Sequence, residues 1–277
     1  MRRVVLVVLL LTLVATAACS ALPDADPLIG IRVSTDSSVC DSRLLFAVHE
    51  VDGTRRGSPH DVVHVVATSL DAPSIEFAAE AVFEWMVPDV IGVYLVNIPF
   101  DRPGIWQIDF TISTGEATQP FLIDIQAEPR TTAVGETAPL VSTRTTANTS
   151  LEDLTTDNDP LESFYEISLD EALTNGRMTV VIFATPRFCT SAACGPMLGQ
   201  MKMMAADYAG VNFVHVEVYE GFNEAEFAPD ADHLAPSVVA FGLPSEPWVF
   251  VMDEDGTVVG RFDGVLGGGE IESLLER

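Results

Sequence analysis

Apolar residues along this chain change their spacing near its middle, and that change decides how many cores the chain can build. From residue 28 to residue 127 they come in short runs, at 29–33, 44–48, 62–66, 82–85, 93–96, 105–110 and 121–125, several alternating with polar residues. Period two is the pattern of a strand with one face in a core and the other in water. Beyond Ile167 the runs lengthen and alternate with helical spacing. Met178-Thr-Val-Val-Ile-Phe183 is nearly continuous, as in a strand covered on both faces. Half-exposed strands and strand–helix alternation bury their apolar faces in different layers, so two domains are expected. A length of 277 residues accommodates two.

Turn chemistry at 51–53, 57–59 and 101–104 separates the seven runs of the first half. Seven short strands in about a hundred residues predict an all-β, immunoglobulin-like sandwich over 28–127. His49, His60 and His64 lie there without ligand-like spacing, and Cys40 is expected as a half-buried, unreactive thiol. Residues 128–162 hold nine threonines between Thr131 and Thr156, with seven acids and two arginines. Such a segment buries too little to offset the entropy of ordering it, which predicts an exposed linker, with Val134-Gly-Glu-Thr-Ala-Pro139 as a lead-in to the next domain. Residues 163–277 read as an α/β domain. Strands are expected at 178–183, 211–218, 248–252 and 257–262. A helix carries Met197, Met201, Met204 and Tyr208 on one stripe, and a short helix closes the chain from Glu270.

Acidic residues outnumber basic ones by 41 to 14, a net charge of −27, and the one lysine is Lys202. Nucleic-acid binding needs clustered Lys and Arg, so no nucleic-acid partner is expected, and docking on anionic lipid is disfavoured for the same reason. The acidity reads as solubility in a crowded or salty exterior. With 48% hydrophobic residues the chain is not of the disordered class.

Residues 1–18 have the order of an export signal: Arg2 and Arg3, an apolar run from Val4 to Val14, then small residues before Cys19. The run is shorter than the roughly twenty residues of a membrane span. Small residues followed by a cysteine resemble the lipobox of bacterial lipoproteins, although Thr16 stands where Leu or Val is usual. That resemblance implies lipid on Cys19, a tether over 19–27, and a chain held on the outer face of the cytoplasmic membrane or in the cell envelope, where disulfides persist. Three other cysteines remain, Cys40, Cys189 and Cys194, of which only the last two are close in sequence.

The second domain carries the residues with chemistry. Phe183-Ala-Thr-Pro-Arg-Phe-Cys189 resembles the strand-to-cysteine segment of membrane-anchored, extracytoplasmic thiol–disulfide oxidoreductases. Ser245-Glu-Pro-Trp-Val-Phe250 resembles the segment where thioredoxins carry a cis-proline, which nominates Pro247. Together with Val134 to Pro139, the likeness covers about residues 134–277 and implies a thioredoxin-like fold. It also implies a redox-active Cys189–Cys194 pair, exported thiol or disulfide proteins as partners together with an electron donor, and no cofactor. Thioredoxins place two residues between their cysteines; Cys189-Thr-Ser-Ala-Ala-Cys194 has four, and Cys194-Gly-Pro-Met197 repeats the thioredoxin string with Met last. Either Cys189 attacks and Cys194 resolves, or Cys194 takes the first position and Cys189 reacts from the loop before it.

Geometry limits the pair further. Residues five apart on an intact helix have Cα atoms roughly 8–9 Å apart, and a disulfide needs less than about 7 Å. The bonded form therefore needs 189–193 as a loop and a helix starting near Cys194, with Pro196 in its first turn. A helix N-terminus favours a thiolate, Arg187 is a candidate to add to that, and Glu246 to oppose it. Alternative activities weighed on the same residues are a peroxidase, since the five-residue offset resembles bacterioferritin-comigratory peroxiredoxins, and copper delivery, with His233 as third ligand. An inert adapter is the third alternative. Pro186 stands where peroxiredoxins need Thr or Ser. The methionines at 197, 201, 203 and 204 read as core rather than copper ligands, and no metal site is expected. His215 and Glu217 share one strand face, and Gly267-Gly-Gly269 lacks the Lys-Ser/Thr of a phosphate loop.

Overall fold

A computed structural model describes residues 26–41 and 43–276. The export signal over 1–18, Cys19 and most of the tether lie outside the described residues. No described helix is long and apolar enough to cross a membrane.

The first half forms one curled sheet of nine strands: β1 (Leu28–Arg32), β2 (Arg43–His49), β3 (Arg55–Arg56), β4 (Val63–Ser69), β5 (Glu76–Val87), β6 (Ile91–Asn97), β7 (Gly104–Ile112), β8 (Thr118–Gln119) and β9 (Phe121–Ile125). Their order is β8-β1-β2-β6-β5-β4-β7-β9, with β3 beside β2. The twelve residues of β5 make the curl: 76–81 pair with β4 and 82–87 with β6. At the closing edge β8 runs parallel to β1, while the Thr118 hydroxyl donates to the carbonyl of Phe110 in β7. The result is an all-β, barrel-like sheet around Phe46, Tyr94, Trp106 and Phe110. Alternation places these residues inside, as period two requires. Seven strands stand where the sequence places them; β3 and β8 are too short for any periodicity to reveal, and β5 begins six residues before Val82.

Two short helices, α1 (Leu151–Leu154) and α2 (Leu169–Thr174), lead into the second sheet. This sheet comprises β10 (Thr179–Ala184), β11 (Asn212–Glu217), β12 (Trp248–Met252) and β13 (Val258–Asp263), in the order β11-β10-β12-β13. β10 and β11 are parallel; β12 and β13 return antiparallel. Between them lie α3 (Cys194–Asp207) and α4 (Pro236–Ala240), and α5 (Glu272–Leu275) ends the domain. A strand–helix–strand unit followed by an antiparallel pair and a helix is a thioredoxin-like arrangement. Every residue of β10 is buried. Val180 and Ile182 face α3 and α5, while Val181 and Phe183 face α2 and α4. This is why the run is continuous rather than alternating.

Much of the threonine-rich segment is exposed, but it is ordered by a few buried anchors. Thr131, Thr145, Thr155 and Thr156 are buried. Thr131 donates from both N–H and hydroxyl to Asp36, and Thr156 does the same to Glu217. Thr137 bridges to Thr257 at the edge of β13. Threonine offers a donor and a methyl together, so the segment is ordered by satisfying buried carboxylates rather than by apolar area. Gly242, with φ +69°, lets this segment pass: a Cβ there would lie 2.3 Å from the carbonyl oxygen of Arg130. Cys40 departs from expectation. It is exposed, at φ +69°, in the turn before β2.

The two halves share a buried polar interface. Arg43 of β2 reaches Glu270 at 2.8 Å and Asp263 at 3.2 Å. Reciprocally, Arg261 of β13 reaches Asp36 at 2.9 Å and Asp41 at 2.6 Å. Burial pushes the Asp36 carboxyl up, but the Thr131 and Arg130 N–H groups and Arg261 outweigh it and hold it below the usual range. At Asp41 burial dominates over Arg261 and raises the carboxyl. Removing one partner of such a pair strands the other without water. Arg261→Ala is therefore expected to lower unfolding stability by roughly 3–5 kcal/mol, read from the urea midpoint; a loss under about 0.5 kcal/mol would show the pair to behave like a surface contact.

Candidate active site

The end of β10, the start of α3 and the loop before β12 meet at one edge of the second sheet. Cys189 and Cys194 are disulfide-bonded, with Cα atoms 6.1 Å apart. Residues 189–193 are loop, and α3 begins at Cys194 with Pro196 as its third residue, as the spacing requires. Ala192 takes φ +62° at the tightest point of the loop.

The two sulfurs are not equivalent. Cys194 is fully buried against Met197, Leu198 and Met201, whereas Cys189 is half-buried and reaches the surface. The backbone N–H of Cys194 donates to Cys189 Sγ at 3.3 Å. That N–H is one of the first of α3, which have no carbonyl four residues back to take them. The partial positive charge of the helix start therefore lies on Cys189, and negative charge is favoured there. Of the two sulfurs, Cys189 is the one that is both accessible and placed where negative charge is favoured.

Ser191 is a site residue that the sequence reading did not single out, because nothing distinguishes a serine between two cysteines. Its hydroxyl lies 3.5 Å from Cys189 Sγ and 3.5 Å from the carbonyl oxygen of Glu246, and it accepts the N–H of Ala193 at 3.3 Å. It ties the cysteine loop to the proline loop. The Glu246–Pro247 peptide is cis, and Pro247 is buried. Glu246 accepts from the backbone of Thr190, so its carboxyl faces the cysteine loop, and burial raises it.

Arg187 is exposed. Its guanidinium lies over the rings of Phe188 and Phe222, and only its backbone N–H turns inward, to the Thr156 hydroxyl. Pro186 is half-buried where the chain leaves β10. Phe188 packs on Tyr219 and Phe227, and Phe227 on His233, giving an aromatic surface beside Cys189. His233 is engaged by Asp230 at 2.7 Å. Among the described residues no cluster of three or more His, Cys, Asp or Glu is gathered as a metal site. Met197 and Met201 are core; Met203 is exposed.

Two ionisable groups lie beneath the site on β11. His215 Nε2 meets the Ala184 carbonyl at 3.0 Å, and the Tyr165 hydroxyl meets Nδ1 at 2.6 Å. A carbonyl only accepts, so the proton is on Nε2 and the tyrosine donates to Nδ1. Burial lowers His215 to about 4. Burial raises Glu217, against donors from Thr156.

No family model and no curated protein matches the chain. Among solved structures, one from Chlorobium tepidum, described as a candidate thiol:disulfide interchange protein DsbE, is similar at 18% identity. The match covers 53% of this chain and 96% of that one, with a TM-score of 0.37.

The buried imidazole has a consequence for stability. Unfolded histidine takes up its proton near 6.5 and His215 only near about 4. Between those values the unfolded chain binds more protons, so stability falls as pH drops from 6.5 to 4, by up to about 3 kcal/mol. Glu217, raised in the folded state, acts with the opposite sign. Urea unfolding at intervals over this range is expected to show His215→Gln lacking the His215 slope; parallel curves for variant and wild type would contradict the assignment.

Proposed function

We propose that the chain is a thiol–disulfide oxidoreductase acting through Cys189 and Cys194. The observation that carries this reading is the asymmetry of the pair: an accessible sulfur on the first N–H groups of a fourteen-residue helix, with its partner sealed behind it. A substrate thiolate attacks Cys189 Sγ; the Cys189–Cys194 bond breaks, and Cys194 leaves as a thiolate and takes up a proton. A second substrate thiolate then attacks the substrate sulfur of the mixed disulfide and releases Cys189. The substrate gains a disulfide and the protein two electrons. Run in reverse, the same steps reduce a substrate. The Glu246 carbonyl, just before the cis peptide to Pro247, lies 3.5 Å from the Ser191 hydroxyl that meets Cys189, and an extended peptide would lie along this edge.

A peroxidase needs a hydroxyl and a guanidinium at the attacking sulfur. Here Ser191 supplies a hydroxyl, but Arg187 is held on aromatic rings and the proline loop brings an acid, Glu246. These features favour disulfide exchange. Copper delivery is disfavoured by the pairing of His233 with Asp230.

The protein works, in this reading, outside the cytoplasmic membrane, anchored by lipid on Cys19, with exported thiol or disulfide proteins as substrates and a second redox protein as electron partner. The order of residues 1–19 supports the location. We read the curled sheet as an immunoglobulin-like module that carries the redox domain.

Cys189→Ser is expected to abolish exchange with a disulfide peptide, and Cys194→Ser to keep the first attack and accumulate the mixed disulfide on Cys189, seen by acid trapping and mass spectrometry. Exchange undiminished in Cys189→Ser would overturn the proposal.

A further inference from the structure

The redox site is not built by the second domain alone. Ala193, the residue before Cys194, is 1% exposed. Its apolar neighbours come mostly from the β-domain: it packs in a cluster with Leu45, Met86, Val93 and Leu95, joined by Val265. A bulge in the pairing of β5 with β6 falls between Trp85 and Val87, and Met86 within it is buried in this cluster. Bulges re-aim a side chain in this way. Ala193 also sets the start of α3, because its carbonyl accepts the first helical hydrogen bond, from the N–H of Met197 at 3.0 Å. Whatever fixes Ala193 fixes the direction of the neighbouring Cys194 N–H, which points at Cys189.

The β-domain touches the proline loop as well. Thr35 donates from its N–H to Asp263 at 2.7 Å, and its hydroxyl lies 3.2 Å from the same carboxylate. Ser245, two residues before Pro247, donates its hydroxyl to Thr35 Oγ1 at 2.8 Å, and accepts from Trp248 Nε1 at 3.4 Å. One domain thus holds both loops that Ser191 links.

We infer that the N-terminal β-domain is a positioning part of the redox site, clamping the cysteine loop through Met86 on Ala193 and the proline loop through Thr35 on Ser245. Neither residue touches the sulfurs; each acts through the loop it holds. The clamp predicts separable effects. Loosening Ala193 weakens the N–H contact to Cys189 and makes its thiolate harder to form. Loosening Ser245 leaves the sulfurs alone and disturbs the edge along which a peptide lies.

The kinetic part rests on the oxidoreductase reading; the alkylation part does not. In the reduced full chain, the pH profile of Cys189 alkylation by iodoacetamide is followed by mass spectrometry of its peptide. Met86→Ala is expected to move the midpoint up by roughly half a unit to one unit, the size of one weakened hydrogen bond. Thr35→Val is expected to leave that midpoint in place and to raise KM for a disulfide peptide about two- to tenfold at unchanged kcat. Leu122→Ala, on the exposed far face of the β-domain, serves as the remote control and is expected to change neither. Thermal melts establish that each variant is folded. Folded Met86→Ala and Thr35→Val chains with wild-type midpoint and KM would overturn the clamp. Should Met86→Ala not fold, Thr35→Val alone decides. A wild-type chain that exchanges with no disulfide peptide would sink the oxidoreductase reading, while the alkylation midpoints of wild type and Met86→Ala would still test the clamp.

Discussion

A helix must begin with N–H groups that no carbonyl of its own can take. In α3 one of them, from Cys194, lies 3.3 Å from the sulfur of Cys189. The contact is possible because a disulfide spanning five residues cannot close along an intact helix, so the chain between the cysteines has to leave helical geometry. The same requirement leaves Cys189 half-buried at the surface and puts Cys194 in the first turn of α3, among Met197, Leu198 and Met201. Accessibility and the place where negative charge is favoured therefore coincide on one sulfur.

Much of this was legible in the residues, and the parts that were not share a cause. The start of α3 and the strands with clear periodicity follow from backbone geometry, which depends on spacing and on proline; Pro247 is nominated by resemblance alone. Ser191, the outward turn of Arg187 and the contacts of Thr131 and Thr156 depend on which distant group a side chain meets, and spacing carries no such information. The threonine segment is the plainest case. Its composition gives too little apolar surface to order it, and the carboxylates that do order it, Asp36 and Glu217, come from elements about 95 and 61 residues away in sequence. The guanidinium of Arg187 lies over aromatic rings at 5.8 and 6.0 Å, contacts that its place two residues before a cysteine does not reveal.

His215 and Glu217 show how the site tolerates buried polarity. Both sit on the α3 side of β11, the face they share with Phe213. Each is satisfied: the imidazole by one donor and one acceptor, the carboxyl by two donors from Thr156. A neutral imidazole with both nitrogens engaged costs little to bury, and this satisfaction is why β11 can carry polar side chains while remaining closed to water.

The interface between the halves answers a problem set by charge. With 41 acids to 14 basic residues, two domains of this chain repel wherever acids face each other. The solution is reciprocal: Arg43 of the β-domain enters acids of the second domain, and Arg261 of the second domain enters acids of the β-domain. Each arginine uses its planar fork on more than one acceptor, which lysine does not match. Buried pairs of this kind contribute more to geometry than to net stability, because desolvation offsets much of their attraction. Beside them Leu45, Met86, Val93 and Leu95 close on Ala193 and Val265, and that apolar contact supplies the cohesion. Arg43 and the apolar cluster meet at Val265, whose carbonyl accepts from the guanidinium and whose side chain joins the cluster, and the neighbouring Asp263, which Arg43 also reaches, accepts the Thr35 N–H.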